Sequence, residues 1–439
     1  MDLLVQAYGD EVGKGPKNWR EVGIQYLYRQ NEILVRDEYL DHVLRIVPGS
    51  EVQAPLVHGV SLLSIPGPVI ETLERIRGEV GAGDEPDRHP EGEQRGAGAF
   101  TPNHLVSITP PQGTGGGCPA TEPDPVDAAA RPEPGPTIDA RAGQGVRVVV
   151  IDSGLDPDAP GMHPWMDGVT GDPDPAVPPG PAPNRPLDLY AGHGTFIAGI
   201  VRCMAPRAEV IVKNIVKKAG ATFEANLVRA LDRCLDDDFP DVISMSAGTW
   251  TFDPTGLLSL TVFNERRFRH HKGVVLVAAA GNDNSRRPFW PAAATWAIGA
   301  GALDRHWRDR AEFSNFGGWV DVYAPGERLV NAFPVGTYTY REPSLPHHVP
   351  PHQPGDQAAF QGMARWSGTS FSTPMVAGMI AARMSHTGEN GRGAGGQCDG
   401  AGGQDGPGAG RGDWSATGSR LPVLPLGRSA GQCHRMTHR

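Results

Sequence analysis

The sequence contains no run approaching the ~20 consecutive apolar residues that a membrane-spanning helix needs, so no membrane partner is expected. Cysteine is scarce. Cys118, Cys203, Cys234, Cys398 and Cys433 are odd in number, widely separated and form no CxxC pair, which argues against a zinc ribbon, a dithiol redox centre or a disulfide scaffold. They read as free thiols. Positive charge is in deficit, with 40 Lys and Arg against 50 Asp and Glu and a formal net charge of -10. The chain therefore lacks the basic footprint of a nucleic-acid or anionic-membrane binder. The opening segment MDLLVQAYGDEVGKGPKNWR has no basic start leading into an apolar core of signal-peptide length, and a cytoplasmic location is the expectation.

Glycine and proline are abundant, at 58 and 42 of 439 residues. Packed domains use fewer, so much of the excess is expected in linkers and tails. The length suggests two or three domains, one of them of enzyme size. Within residues 1–109 the runs NEILVR, DEYLDHVLRIV, VSLLSI, PVIETLERIRGEV and HLVSIT predict a small α+β domain of strand, helix, strand, helix and strand. Residues 110–144 are too poor in apolar side chains to order themselves and read as an exposed linker. From 145 to 385 the strands VRVVVI, EVIVKNIV, DVISMS and GVVLVAAA alternate with helices predicted at 193–204, 222–236, 255–271 and 370–384. Runs apolar on both faces are what a parallel α/β sheet sandwiched between helices requires. The Pro-rich stretch 334–355 reads as a surface insertion, and the Gly-rich residues 386–439 as a disordered tail.

Four residues stand where chemistry is expected. Asp152 ends the strand VRVVVID and precedes Ser153-Gly154, which puts a carboxylate at the carboxyl edge of a parallel strand, where open α/β sheets place their sites. His193, in YAGHGTFIAGIV, lies between two glycines at a helix start. Ser370, in WSGTSFSTPMVAGMIAARM, opens a helix with Pro374 in its first turn, where unpaired N–H groups and the dipole favour developing negative charge. Asn282 follows the strand GVVLVAAAG and offers an amide donor. A hydroxyl, an imidazole, a carboxylate and an oxyanion donor are the parts that acyl transfer to serine needs.

The segments VVVIDSG, GHGTFIAG, VAAAGN and SGTSFSTPMVAG resemble the strongest signatures of the subtilisin family of serine proteases (subtilases, peptidase S8), in that family's order Asp, His, Asn, Ser. The resemblance spans about 145–385. It implies a subtilisin-like three-layer α/β fold with a mostly parallel central sheet behind the small α+β N-terminal domain. It also implies a serine endopeptidase acting on polypeptides as a monomer, with no cofactor needed for the chemistry. Ser370 would be the nucleophile, His193 the general base and acid, Asp152 its orienting carboxylate, and Asn282 the oxyanion donor. Ser246-Ala247-Gly248 would pair with substrate backbone and form one wall of the S1 pocket, the site for the residue before the scissile bond; Ala279-Ala280-Gly281 would form the other wall. The alternative is an inactive binding module on the same fold.

Phe371 and Ser372 depart from the Met and Ala often found after the nucleophile, and the Pro-rich loop DPDPAVPPGPAPNRP lies between Asp152 and His193. His347, His348 and His352 read as a solvated tract, not a metal site. Many family members bind calcium, but the spacing of Asp156, Asp158, Asp167, Asp172 and Asp174 matches no dedicated loop. The element order of 31–109 is compatible with the propeptide that blocks the cleft in many subtilisin-like proteases, although no propeptide motif is identifiable.

Overall fold

The computed structural model describes residues 1–53, 56–82, 98–108, 122–179, 185–343 and 351–399. Its centre is the strand Arg147–Asp152, in which every residue after Arg147 is buried. Successive side chains of a strand point to opposite faces. Val148 and Val150 accordingly join a core with the helices His193–Met204 and Thr369–Thr387, through residues such as Phe196, Ile200, Met375 and Ile380. Val149 and Ile151 join a second core with the helices Glu224–Arg233 and Leu258–Arg266, through Leu227, Leu231, Leu260 and Phe263. Helices cover both faces, giving the three-layer α/β arrangement.

The sheet has seven strands, in the spatial order Val322–Pro325, Ile298–Leu303, Val275–Ala279, Val242–Met245, Arg147–Asp152, Glu209–Asn214 and Thr170–Gly171. All neighbours in it are parallel. Arg147–Asp152 lies between Glu209–Asn214 on one side and Val242–Met245 on the other, so the chain fills one flank of the sheet and then crosses to the other. Such a reversal opens a crevice beyond the carboxyl ends of the strands. Asp152 is the last residue of the strand at that point.

The N-terminal part forms an antiparallel sheet in the order Phe100–Ser107, Tyr26–Arg36, Val60–Ser64 and Glu51–Val52, with helices Leu40–Ile46 and Val69–Ala82. Residues before 26 add the helix Asp2–Tyr8 and the strand Val12–Gly15, which pairs with Tyr26–Arg36. The sheet does not stop at its own edge. Ala221–Phe223, from the parallel α/β body, pairs antiparallel with Phe100–Ser107, so the two parts share a ladder.

Three expectations need correction. Residues 122–144 are not a free linker: Asp124–Pro125 pairs with the strand Gln357–Trp366, Glu133 exchanges two backbone hydrogen bonds with Val330, and Thr137 N–H donates to the Cys203 carbonyl. Backbone pairing orders this segment without the apolar burial its composition lacks. Residues 334–355 are not simply an excursion from the fold. Leu329–Thr339 and Gln357–Trp366 form a long antiparallel hairpin, and Pro334 falls within its register shift between Ala332 and Val335, where a missing N–H is tolerated. The tail does not begin at 386, because the helix Thr369–Thr387 continues past it and a helix at Gly391–Asp399 follows, with Ala394 fully buried and the Arg392 guanidinium donating to the carbonyls of Val274 and Phe268. The expected disorder of 400–439 lies outside the described residues.

Leu276, on Val275–Ala279, is 1% exposed within the second core. Leu276→Ala is expected to cost about 2–5 kcal/mol of stability, measured as a lower urea midpoint with an unchanged m-value.

Candidate active site

Asp152 is fully buried. Its Oδ1 accepts the Ser153 N–H at 2.8 Å and lies 2.7 Å from His193 Nδ1; among the described residues, Oδ2 is buried without a hydrogen-bond partner. Facing a carboxylate, Nδ1 carries the proton, which leaves Nε2 as the basic nitrogen. His193 is the first residue of its helix. The imidazole stands edge-on to Trp366, centroids 5.2 Å apart, and tilts against Phe371 at 5.4 Å. The ring is thus held by packing on one side and by the carboxylate on the other.

A second carboxylate supports this arrangement. Asp174 Oδ2 accepts the Gly192 N–H at 2.9 Å and the Ser153 hydroxyl at 3.0 Å, while Oδ1 accepts the Ala176 N–H at 2.9 Å. The Ser153 oxygen in turn accepts the Gly194 N–H at 3.0 Å. Asp174 and Ser153 therefore tie down the residues on both sides of His193. Beyond them a cavity of about 630 Å³ opens, bordered by Tyr190, Gly220 and Leu3.

Ser370 is the second residue of the helix Thr369–Thr387 and is 3% exposed. Its carbonyl accepts the Ser246 hydroxyl at 2.9 Å, and the next side chain, Phe371, is the one that touches the His193 ring. Among the described residues no hydrogen bond joins its hydroxyl to His193. Asn282 is anchored through its amide oxygen, which accepts the Thr369 N–H at 2.9 Å and the Thr369 hydroxyl at 3.0 Å. The Nδ2 end is left as the donor for a ligand. Asn315 holds the same turn from behind: its Nδ2 donates to the Ala280 carbonyl at 2.9 Å, and its Oδ1 accepts the N–H groups of Asp283 and Ser285 at 3.0 Å.

The four residues singled out by motif thus sit at the carboxyl edge of one sheet. Thr369 and Asn315 were not singled out as site residues, and Asp174 was weighed only as a calcium ligand. Thr369 lies inside the GTS motif and was legible there; the other two act across 35 and 18 positions of sequence and leave no local signal.

Ser246-Ala247-Gly248 and Ala279-Ala280-Gly281 follow or end adjacent parallel strands. Gly248 is already paired. It donates to the Ser107 carbonyl at 3.0 Å and accepts the Ser107 N–H at 3.1 Å, while the Ile108 N–H donates to the Gly220 carbonyl at 2.8 Å. Residues 105–108 therefore run as an extended strand between 220–223 and 248. Two side chains fasten this strand to the body. Asn103 Oδ1 accepts the Ala225 N–H at 3.0 Å at the start of Glu224–Arg233. His104 is fully buried between Glu224, 2.8 Å from Nδ1, and the Phe252 N–H, which donates to Nε2 at 3.0 Å.

Among the described residues no three His, Cys, Asp or Glu side chains converge on a point that could hold a metal ion. Of the aspartates considered for calcium, Asp156 pairs with Arg185, Asp172 accepts the Asn214 N–H, and Asp174 accepts the bonds described above. His352 stacks on Tyr340 with centroids 3.6 Å apart, while His347 and His348 lie outside the described residues. No helix among those residues is long and apolar enough to cross a membrane.

Residues 143–390, more than half of the chain, match the model of the subtilase family, peptidase S8. The chain is 30% identical over 269 residues to a thermophilic serine proteinase of Bacillus sp. strain AK1, covering 57% of this chain and 54% of that protein. It is 27% identical over 256 residues to subtilisin E of Bacillus subtilis strain 168, covering 55% and 56%. The chain thus spans somewhat over half the length of these relatives. Among solved structures, fervidolysin from Fervidobacterium pennivorans, a keratinolytic enzyme related to subtilisin, has the same fold at 20% identity and a TM-score of 0.50, covering 82% of this chain and 55% of that one.

Burial raises the Asp174 carboxyl to about 6, against the pull of its hydrogen bonds from Gly192, Ala176 and Ser153. The folded protein then binds this proton more tightly than the unfolded chain, where a free Asp titrates near ~3.9. The resulting stability is present in full below about pH 4 and is lost as pH rises through about 6. Relative to Asp174→Asn, the wild type should lose on the order of 2–3 kcal/mol between about pH 4 and pH 7. Urea midpoints of the two proteins across that range test this; a constant difference would contradict it.

Proposed function

The chain belongs to the subtilase family of serine proteases, and from that premise we propose that it is a serine endopeptidase whose substrate cleft is covered by its own N-terminal part. The observation that carries the reading is the 2.7 Å contact between His193 Nδ1 and the buried Asp152 Oδ1, at the sheet edge where Ser370 and Asn282 also lie. Ser370 Oγ attacks the substrate carbonyl carbon while His193 Nε2 takes the hydroxyl proton. The carbonyl electron pair moves onto oxygen, which the Asn282 Nδ2 group and the Ser370 N–H stabilise. Collapse expels the amine, which takes the proton from His193 and leaves an acyl-serine. Water then attacks the ester with His193 as base, releasing the acid and restoring the hydroxyl. Asp152 fixes the imidazole tautomer and stabilises its cation without itself being protonated. Its second oxygen, buried and without a hydrogen bond among the described residues, leaves the anion to act chiefly on the ring. A catalytic hydrogen bond absent at rest is common in a free enzyme and tightens when substrate binds.

Gly248 and Gly220 are backbone rails for an extended peptide, and adding a strand grips any sequence by its main chain. The rails are taken by Ser107 and Ile108, which supports a propeptide-like, inhibitory role for residues 1–108. A polypeptide substrate has to displace that strand.

A fluorophosphonate probe should label the wild type at Ser370 and leave Ser370→Ala unlabelled; an unlabelled wild type would sink the reading. Ser107→Pro removes the N–H donated to Gly248 and should raise the labelling rate severalfold. Asn282→Ala should lower kcat by about 10²- to 10³-fold with little change in KM, the size of loss known for such a donor in a subtilisin.

A further inference from the structure

The two segments that would wall the S1 pocket are separated by an aromatic ring. Phe289 is 1% exposed. A Cβ placed on Gly248 would overlap Phe289 Cε1, and one placed on Gly281 would stand 3.0 Å from its Cδ1. The ring therefore lies against the backbone of both walls, at the two positions where no side chain intervenes. Its place is fixed by the chain around it. Thr249 and Trp290 exchange backbone hydrogen bonds at 2.9 and 3.0 Å, the Phe289 carbonyl accepts the Ala293 N–H at 2.9 Å, and Trp250 meets the ring edge-on at 6.5 Å. Glycine at 248 makes room for the Phe289 ring, and glycine at 281 makes room for Asn315 Nδ2 as well as for the ring.

We propose that Phe289 fills the floor of this pocket and restricts cleavage to peptide bonds that follow a small residue, such as glycine, alanine or serine. The proposal rests on the endopeptidase reading and deepens it by naming the substrate class. A small side chain fits above the ring without disturbing it. A phenyl or isobutyl group has to compete with Phe289 for the same space, and the Thr249–Trp290 pairing fixes the backbone that carries the ring. Because the restriction acts on the side chain alone, the backbone rails at Gly220 and Gly248 are unaffected by it.

The test uses full-length protein and tetrapeptide p-nitroanilides that differ only in the residue before the scissile bond. The wild type is expected to favour alanine over phenylalanine in kcat/KM by about 10²-fold or more. Phe289→Ala should shrink that ratio at least tenfold, mainly by gaining activity on the phenylalanine substrate. Competition from the N-terminal strand affects all substrates alike and cancels in the ratio. Fluorophosphonate labelling, which does not use the pocket, reports whether each variant has a folded site. Should Phe289→Ala fail to label, Phe289→Leu decides, with a smaller shift in the same direction. A labelled wild type that cleaves after phenylalanine as well as after alanine, or a labelled variant with an unchanged ratio, overturns the proposal and leaves the endopeptidase reading standing. A wild type that neither labels nor cleaves overturns both.

Discussion

The Asp152 carboxylate ends a strand whose side chains are buried on both faces, and an anion in that position is tolerable only if the protein supplies partners for it. It receives one N–H from Ser153 and the His193 ring, and among the described residues no hydrogen bond reaches its second oxygen. The arrangement ties the imidazole to the sheet edge. Much of the surrounding structure serves that contact: the sheet delivers the carboxylate, the helix His193–Met204 delivers the ring, and Trp366 and Phe371 confine it. Asp174 and Ser153 restrain the backbone on either side of the histidine.

The Asn282 side of the site is built on the same logic with neutral groups. An asparagine can present its N–H₂ end reliably only if its oxygen is held elsewhere, and Thr369 does this with both its N–H and its hydroxyl. Since Thr369 immediately precedes Ser370, the proposed nucleophile and the proposed donor amide are registered to each other within one helix N-terminus. Asn315 closes the turn from the opposite side. At the proposed substrate rails, main-chain pairing is indifferent to sequence, and the chain's own residues 105–108 make it. Asn103 and His104 then secure the occupant by contacts outside the cleft.

Local pattern was a good guide where local physics decides. The strand Arg147–Asp152 and the helix His193–Met204 were legible because one is apolar on both faces and the other starts after a glycine turn with small and apolar residues. The segments 122–144 and 386–399 were misread for a common reason: their composition is poor in apolar side chains, and their order comes from backbone pairing in the first case and from arginine contacts to carbonyls in the second. The α+β pattern of the N-terminal part was visible, but the borrowed strand Ala221–Phe223 was not, since strand partners far apart in sequence leave no mark in either segment.

The sequence by itself determined the chemical inventory and its order along the chain: a carboxylate closing an apolar strand, an imidazole between glycines, an amide after a strand, and a hydroxyl at a helix start. Those are short-range features, set by propensity, turn chemistry and the need to bury apolar faces. Only the tertiary structure decided that Asn315 and Asp174 buttress the site, that Ser107 lies on the Gly248 rail, and that Phe289 lies between Gly248 and Gly281. Each of these depends on which distant segments the parallel sheet brings side by side, and that adjacency is fixed by packing the whole sheet between two helical layers.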